Sequence, residues 1–369
     1  MNLQITHETH YRYSPSVETA QHIAHLRPLT TATQQLVRHS LTVTPAPAQQ
    51  TQSLDVYGNM RSFFSLQASH DILSVVADSL VVTREAPPPQ SDMTWEEARE
   101  RFRYRAGASF NPAAEFVFAS PYVPRHADFA SYARPSFGVG VPLLMAARDL
   151  MERIYCDFEY SSESTEVNTP AVEALALRKG VCQDFAHIMV ACLRAMGLPA
   201  RYVSGYLLTH PAPGQPRLIG SDASHAWASV YVPDLPGDQG WCDFDPTNNR
   251  APGEDYVTLA TGRDYSDVSP IRGVIHGGAS HTLRVAVTVM PLDADGRPLA
   301  TEPPPRARGP SRGEEALPRS SSSQDQSGTG EQQQKQQQDQ TQSQSQSQSQ
   351  SQSQLQTQTQ GHFGPQDAG

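Results

Sequence analysis

Lysine is nearly absent from this chain of 369 residues, which has only Lys179 and Lys335 among its 28 basic side chains. Arginine supplies the rest, and we interpret this as a compositional bias. Acidic residues outnumber basic ones and leave a formal net charge of -10. Nucleic-acid binding depends on clustered cations that neutralise phosphates, so this charge balance argues against nucleic acid as a partner.

The four cysteines include no C-x-x-C pair; they are Cys156, Cys182, Cys192 and Cys242. Neither a disulfide framework nor a zinc knuckle is indicated, so we predict free thiols in a reducing compartment. The first residues alternate apolar and polar side chains and lack the continuous apolar stretch of a secretory signal. Because no apolar run reaches membrane-spanning length, the sequence predicts a cytoplasmic protein with no membrane partner.

Residues 1–86 are predicted to form a small all-β domain. Apolar side chains with a period of two begin at Leu3 and recur up to Val82, which is typical of strands. Residues 55–59 include Gly and Asn, which tolerate positive φ, and therefore predict a hairpin turn. A run of three prolines then ends the domain, and residues 87–140 are predicted to be a linker with a short connecting helix.

Residues 141–292 are predicted to form a core domain that includes a C-terminal strand, and residues 293–369 are predicted to form a tail. Apolar side chains at helical spacing between 142 and 155 predict a core helix. The tail is rich in Gln and Ser and has little apolar surface to offset the entropy of ordering. We therefore expect it to be disordered and dispensable for chemistry. The alternative is a tail that binds a partner or promotes clustering.

Two consecutive helices are predicted ahead of the strands that follow. A capping residue and a proline at 168–170 start the first helix, and Gly180 is predicted to end it. The second is predicted to begin at 181–184, with Cys182 on its inward face, and to stop at Gly197. Unpaired amides and the positive dipole end of a helix stabilise a thiolate and an oxyanion, so Cys182 is a candidate nucleophile.

Two downstream strands carry the polar partners that such a thiol needs. Residues 224–232 alternate strictly, which places His225 on a polar and aromatic face opposite a wholly apolar one. Residues 241–245 are predicted to form the returning strand, on which Asp243 and Asp245 share a face. If the strands are neighbours, either carboxylate can accept a hydrogen bond from one imidazole nitrogen. The other nitrogen then faces the candidate nucleophile.

A thiol, an imidazole and an orienting carboxylate are together what acyl transfer through a thioester requires. The thiol attacks, the imidazole moves the proton, and the carboxylate selects the imidazole tautomer. Each residue is a weak indication by itself, and their joint placement supports the chemistry. Trp227 and Trp241 are predicted to flank this site and could wall a channel.

Three separated blocks resemble the bacterial transglutaminase-like family and occur in that family's order. They are GVCQDFAH at 180–187, SHAW at 224–227 and WCDFDPTN at 241–248. The N-terminal β region is also similar to the domain that precedes the core in this family, and residues 262–268 resemble its segment after the core. The resemblance covers roughly residues 1–290 and leaves the tail outside.

This resemblance implies an α+β protein in which a papain-like transglutaminase core follows the small all-β domain. It also implies a triad of Cys182, His225 and Asp245, which favours Asp245 over Asp243. Members are commonly described as cysteine peptidases or transglutaminases. The expected activity is thiol-dependent acyl transfer on a peptide or protein substrate, without a cofactor. Hydrolysis of a peptide, amide or isopeptide bond is the first expectation, and protein-glutamine transamidation is the alternative.

Other interpretations compete with this one. Cys182, His225 and an Asp could bind zinc, but no close-spaced ligand pair supports a metal site. A binding scaffold with a Gln-rich interaction tail is the non-enzymatic alternative. His187 lies roughly 140° around the helix from Cys182 and is predicted to be structural. Asp184 is predicted to complement the helix dipole, while Gln183 points off the Cys182 face, against an oxyanion role. The oligomeric state is left open.

Overall fold

The protein is a mixed α and β structure whose described part contains two large β-sheets. A computed structural model describes residues 1–107, 109–161, 164–165, 169–209, 223–236, 240–278 and 280–299. The predicted tail therefore lies outside the described residues from position 300 onward. None of the helices within those ranges is long and apolar enough to cross a membrane.

The first sheet is built around one long strand, β1. Its seven strands are β1 (Asn2–Ala24), β2 (Gln34–Thr44), β3 (Gln49–Leu54), β4 (Met60–Leu66), β5 (His70–Thr83), β12 (Ile271–Gly277) and β13 (Ser280–Leu292). The first half of β1 lies between β5 and β13, and the second half pairs with β4 and β12. Leu3, Ile5 and Tyr11 all point to the buried face of β1, as the period of two predicts.

The hairpin predicted at residues 55–59 is confirmed between β3 and β4. The carboxylate of Asp55 accepts hydrogen bonds from the backbone amides of Tyr57 and Asn59, at 2.8 Å each. Gly58 has a φ of +84°, a conformation that costs glycine little because it has no Cβ. The turn residues therefore set the local backbone as expected from their chemistry.

The strands β12 and β13 pair with β1 of the N-terminal sheet. The sequence instead predicts that their residues belong to the core domain at 141–292. Thirteen residues of β13 lie opposite residues 2–14 of β1, from Asn2 with Leu292 to Ser14 with Ser280. The alternation of Val285, Val287 and Val289 identifies a half-buried strand. It carries no information about which distant strand is the partner, since any sheet edge offers the same backbone groups.

The second sheet and the helices form the rest of the described structure. The sheet is antiparallel in the order β10-β9-β8-β11, with β8 (Ala200–Leu207), β9 (Ala223–Tyr231), β10 (Trp241–Phe244) and β11 (Tyr256–Gly262). A short parallel pair consists of β6 (Glu159–Tyr160) and β7 (Lys179–Gly180). The described α-helices are α1 (Trp95–Arg101), α2 (Ala127–Ala133), α3 (Leu143–Asp157), α4 (Ala171–Leu177), α5 (Cys182–Ala195) and α6 (Tyr265–Val268), and two short 3-10 helices span Pro112–Val117 and Arg134–Ser136.

Helix α5 occupies the centre of the core. Its side chains Phe185 and Ile188 share one buried cluster with Ala228 and Val230 of β9, so the apolar face predicted for that strand covers the helix. The helix begins at Cys182 and ends just before Gly197, which has a φ of +81°. Both predicted ends of this helix are therefore confirmed.

Gly180 does not end the preceding helix, contrary to the prediction. Helix α4 stops at Leu177, and Arg178 adopts the left-handed conformation with a φ of +56°. Gly180 is required for a different reason, because a Cβ at this position would lie 2.6 Å from the Asp184 carboxylate. The glycine leaves room for a hydrogen bond between residues 181 and 184 at the start of α5.

The two large sheets share a buried interface. Leu3 and Val81 of the first sheet belong to one apolar cluster with Tyr206 and Val257 of the second, and Cys182 lies in the same cluster. Apolar burial of this kind contributes about 25 cal/mol per Å² removed from water. The N-terminal sheet is consequently packed against the end of the core that carries the candidate nucleophile.

Buried histidines predict a loss of stability in mild acid. Burial lowers the pKa of His7, His22 and His187 from 6.5 to about 4. As the pH falls from 6.5 to 4 the unfolded chain takes up protons that the folded protein does not, so stability decreases. Asp184 opposes this trend, because burial raises its pKa to about 6 and the folded state then binds its proton first. One carboxyl opposes three imidazoles.

We expect the free energy of unfolding to fall by at least about 3 kcal/mol between pH 6.5 and pH 4. Urea denaturation across this range measures the change. A His22→Gln variant, which has no imidazole to protonate, should show a shallower dependence on pH. A wild-type midpoint that stays constant from pH 6.5 to pH 4 would contradict the expectation.

Candidate active site

Cys182 is the first residue of α5 and lies at the buried start of that helix. Its side chain is 1 % exposed. Asp184 accepts a hydrogen bond at 2.9 Å from the amide of Val181 and another at 2.7 Å from the hydroxyl of Thr165. The carboxylate therefore pairs the amide of the residue that directly precedes the helix.

His225 and Asp245 form a buried hydrogen-bonded pair. The Nε2 atom of His225 lies 2.6 Å from the Oδ2 atom of Asp245, and the two side chains are 2 % and 0 % exposed. Asp243 pairs with Ser229 in the strand register and has no link to His225. Of the two carboxylates that strand alternation leaves open, Asp245 is the one within hydrogen-bond distance of His225.

The Asp245 carboxylate is enclosed by five donors. On Oδ2 it accepts from His225, from the Asn248 side-chain amide at 2.7 Å and from the Tyr256 hydroxyl at 2.7 Å. On Oδ1 it accepts from the backbone amides of Thr247 and Asn248. Charge-assisted hydrogen bonds in such number hold a carboxylate in one orientation.

Electrostatics favour the charged forms of this pair. Burial by itself would lower the pKa of His225, but the charge of Asp245 and their hydrogen bond, with a further contribution from Cys182, raise it to about 10. Burial would likewise raise the pKa of Asp245, and the positive His225 with its hydrogen bond and those from Asn248 and Tyr256 lower it instead. An imidazolium beside a carboxylate is therefore the favoured state at neutral pH.

The second nitrogen of the imidazole is left for the thiol. Nδ1 of His225 is buried without a hydrogen-bond partner among the described residues. Cys182 is nevertheless close enough to raise the pKa of His225 through hydrogen bonding and charge. Catalytic hydrogen bonds are often long or poorly aligned before substrate binds, so Cys182 is the candidate partner for Nδ1.

His187 has packing and hydrogen-bond contacts that support a structural role. Its Nε2 accepts a hydrogen bond from the backbone amide of Tyr265 at 3.2 Å. Its ring stacks on Tyr122 and packs against Tyr202, with ring centroids 5.4 and 4.8 Å away. Because burial lowers its pKa to about 4, His187 is neutral at physiological pH and acts as an acceptor.

The two tryptophans predicted to flank the site lie in different places. The Trp227 indole is buried with its ring centroid 6.2 Å from that of His225. Trp241 pairs with Tyr231 at the other end of β9, where it packs against Phe116. Six residues along a strand correspond to roughly 20 Å. Only Trp227 therefore borders the candidate triad.

Gly205 leaves room for the Trp227 indole beside His225. A Cβ on Gly205 would overlap both the Val257 carbonyl oxygen and the Trp227 ring, and neither group can move without disturbing β11 or the imidazole. We expect Gly205→Ala to lower the free energy of unfolding by about 2–4 kcal/mol.

Chemical denaturation tests this expectation, with Gly253→Ala as the matched control. A Cβ at Gly253 would meet only the Asp255 side chain, at 3.2 Å. The control should stay within about 1 kcal/mol of wild type. Equal stability of the two variants would show that the space beside Trp227 is not tightly filled.

Sequence reasoning missed two residues that contact the Asp245 carboxylate. Asn248 stands in the block WCDFDPTN, but nothing in that pattern indicates that its side chain turns back to Asp245. Tyr256 lies outside the three blocks, eleven residues beyond Asp245. Its only sequence signal is an aromatic residue at the start of an apolar strand, which is more often explained by core packing.

A cysteine at a buried helix start beside a hydrogen-bonded His-Asp pair has the groups that thiol acyl transfer requires. Comparison with known proteins agrees with this class. Residues 135–246 match the transglutaminase-like superfamily, and residues 3–82 match the bacterial transglutaminase-like N-terminal region. The chain belongs to the transglutaminase-like superfamily.

Relatives and solved structures extend the match beyond these regions. An uncharacterised protein of Mycobacterium tuberculosis is 43% identical over 302 residues, which are 79% of this chain and 93% of that protein. A protein-glutamine gamma-glutamyltransferase of Pseudomonas aeruginosa is 40% identical over 77 residues, 20% of this chain and 11% of that protein. The crystal structure of a proposed cysteine protease from Cytophaga hutchinsonii has a TM-score of 0.60 at 24% identity, covering 82% of this chain and 95% of that one. This last likeness establishes the shared fold.

Proposed function

We propose that this protein catalyses thiol-dependent acyl transfer through Cys182, His225 and Asp245, and that it hydrolyses a peptide, amide or isopeptide bond. The observation that carries the proposal is the arrangement around His225. One imidazole nitrogen is hydrogen-bonded to Asp245 at 2.6 Å. The other has no hydrogen-bond partner in the described part of the chain, and Cys182 is close enough to influence the pKa of the ring. These contacts suit the three roles that thioester chemistry needs.

The proposed reaction has two halves. In the first, Cys182 gives its proton to Nδ1 of His225, and the thiolate sulfur attacks the substrate carbonyl carbon. The C–N bond then breaks as Nδ1–H protonates the leaving amine, which leaves a thioester on Cys182. In the second half, water gives a proton to Nδ1 and attacks the thioester. The acid leaves and the thiol is restored.

Asp245 supports both halves from the opposite nitrogen. Its charge stabilises the imidazolium that forms each time His225 takes a proton, and its hydrogen bond keeps Nδ1 directed at Cys182. The raised pKa of His225 favours an imidazolium at neutral pH, which is the partner that a thiolate requires. The pair is therefore suited to holding the nucleophile in its reactive form.

Protein-glutamine transamidation is a second candidate, and the burial of the site favours it. Cys182 and His225 are almost inaccessible to solvent, and exclusion of water protects a reactive thioester from hydrolysis. A primary amine would then replace water in the second half-reaction. The similarity to a Pseudomonas aeruginosa protein-glutamine gamma-glutamyltransferase is in line with this alternative.

Thiol reactivity tests the proposal without knowledge of the substrate. Purified protein is treated with substoichiometric iodoacetamide at pH 7, and alkylation of each cysteine is followed by mass spectrometry. Cys182 should react faster than Cys156, although Cys156 is exposed and Cys182 is buried. Faster alkylation of Cys156 would overturn the proposal, because an unactivated buried thiol reacts more slowly than an exposed one.

A competition experiment separates hydrolysis from transamidation. A pool of glutamine-containing peptides is incubated with the protein and a labelled primary amine at millimolar concentration, with Cys182→Ala protein as the control. Hydrolysis predicts free acid and little labelled amide. Labelled amide that forms faster than free acid, and only with intact Cys182, would make the second candidate correct.

A further inference from the structure

The edge strand β11 links the candidate triad to the N-terminal sheet. Among the strands that the structure describes, it is the last of the second sheet and pairs with β8 alone. An edge strand leaves a row of backbone amides and carbonyls that need other partners. In this protein two side-chain amides of the N-terminal domain supply such partners: Gln34 at the start of β2 and Asn59 in the turn between β3 and β4.

Gln34 and Asn59 each bind one residue of β11 through both of its backbone groups. The Gln34 side chain donates to the Thr258 carbonyl and accepts from the Thr258 amide, both at 2.8 Å. The Asn59 side chain makes the same two bonds with Thr261, again at 2.8 Å. Both amide side chains are buried, so each completes the hydrogen bonding of β11 as a neighbouring strand would.

These two attachments lie on either side of an irregularity in β11. The pairing with β8 shifts register between Thr258 and Ala260, a place where a strand is locally bent and its own ladder is interrupted. External hydrogen bonds at Thr258 and Thr261 therefore determine the path of β11 through this bend. The first residue of the strand is Tyr256, two positions before Thr258.

Tyr256 is the residue of β11 that contacts the triad. Its hydroxyl donates to Oδ2 of Asp245 at 2.7 Å, the same oxygen that accepts from His225. Burial, together with the charge of Asp245, raises the pKa of Tyr256, so the hydroxyl keeps its proton and acts as the donor. The Tyr256 ring also contacts the rings of Trp227 and His225.

We propose that Tyr256 is a positioning residue for the triad and that Gln34 and Asn59 hold it in place from the N-terminal sheet. The N-terminal domain is then part of the catalytic unit, because it determines the orientation of the Asp245 carboxylate. The proposal rests on the function proposed above and adds three residues to it.

The experiment measures the pH dependence of Cys182 alkylation in full-length protein, with wild type compared with Tyr256→Phe. The substitution keeps the ring and removes one hydrogen bond to a charged group. We expect the alkylation rate of Cys182 at pH 7 to be roughly tenfold lower than in wild type. We also expect the fall of this rate at acidic pH to begin at a higher pH. The reason is that a less well oriented carboxylate stabilises the imidazolium and its thiolate partner less. Tyr206→Phe is the matched control, because its buried hydroxyl is bound to His7 rather than to the triad.

Two further variants test the connection to the N-terminal sheet. Gln34→Ala and Asn59→Ala should shift the alkylation profile in the same direction as Tyr256→Phe. Gln50→Ala, a glutamine of β3 that is exposed, should leave it unchanged. Each of the two should add less in the Tyr256→Phe background than in wild type, because all three act on one carboxylate.

The possible results distinguish this inference from the proposed function. A wild-type profile in Tyr256→Phe overturns the positioning role, as does a shift of equal size in Tyr206→Phe. Fully additive effects of Gln34→Ala and Tyr256→Phe overturn the link through β11. If wild-type Cys182 reacts no faster than Cys156, the proposed function itself fails. Melting temperatures recorded for every variant separate a loss of folding from a loss of orientation.

Discussion

Replacing Cys182 with alanine should abolish turnover while leaving the protein folded. The thiol sulfur is the only protein atom in the proposed reaction that bonds to the acyl group, so its removal eliminates the thioester route altogether. Loss of a nucleophile in comparable triads costs roughly 10⁴- to 10⁶-fold in rate. Release of free acid from the peptide pool measures the effect, and thermal unfolding measures the fold.

Cys192→Ala is the control for this prediction. Cys192 lies on the same helix and is also buried, and burial raises the pKa of its thiol, which keeps it protonated and unreactive. Its replacement removes one sulfur atom from the core. It should therefore lower the free energy of unfolding and leave turnover unchanged. Retained turnover in Cys182→Ala, or an equal loss in both variants, would exclude Cys182 as the nucleophile.

Asp245→Asn should lower turnover by about 10⁴-fold. An amide carries no charge to stabilise the imidazolium, and its NH₂ group must face some of the five donors that now surround the carboxylate. Donors facing donors in a buried site leave hydrogen bonds unmade. His225 would then lose both its orientation and the charge that raises its pKa.

Asp243→Asn provides the comparison, because it makes the same chemical change two residues away. Asp243 lies on β10 opposite Ser229, which is four positions along β9 from His225. We expect this variant to keep turnover within about threefold of wild type, as is usual for substitutions away from a reactive site. Turnover is measured on the peptide pool at saturating concentration. A larger loss in Asp243→Asn than in Asp245→Asn would move the orienting role to Asp243.

Local chemistry was sufficient to predict several elements of the fold. The hairpin at residues 55–59, the start of α5 at Cys182 and its end before Gly197 all follow from residues that act on their own backbone. Glycine permits a positive φ, and a helix end needs partners within one turn. Such effects extend over about four residues, so a sequence pattern carries them completely.

The site could be predicted only in part. Strand alternation places His225 on the face opposite the apolar one, and the three blocks indicate Cys182, His225 and Asp245 together through their resemblance to a family. The same reasoning from alternation could not separate Asp245 from Asp243, because both point to one side of the strand. It also predicted that Trp241 lies beside the triad. The strand register instead places Trp241 next to Tyr231, at the other end of β9.

The sequence by itself determined several of the strands and helices and which residue types could support thiol chemistry, because periodicity and turn residues act locally. Only the tertiary structure decided which segments meet. In it, β13 pairs with β1 and the Tyr256 hydroxyl donates to Asp245. Gln34 and Asn59 bind β11, although more than 200 residues separate them from it in the sequence. The physical reason is that backbone edges and amide side chains are chemically alike throughout a chain. Their partners are selected by packing of the whole molecule.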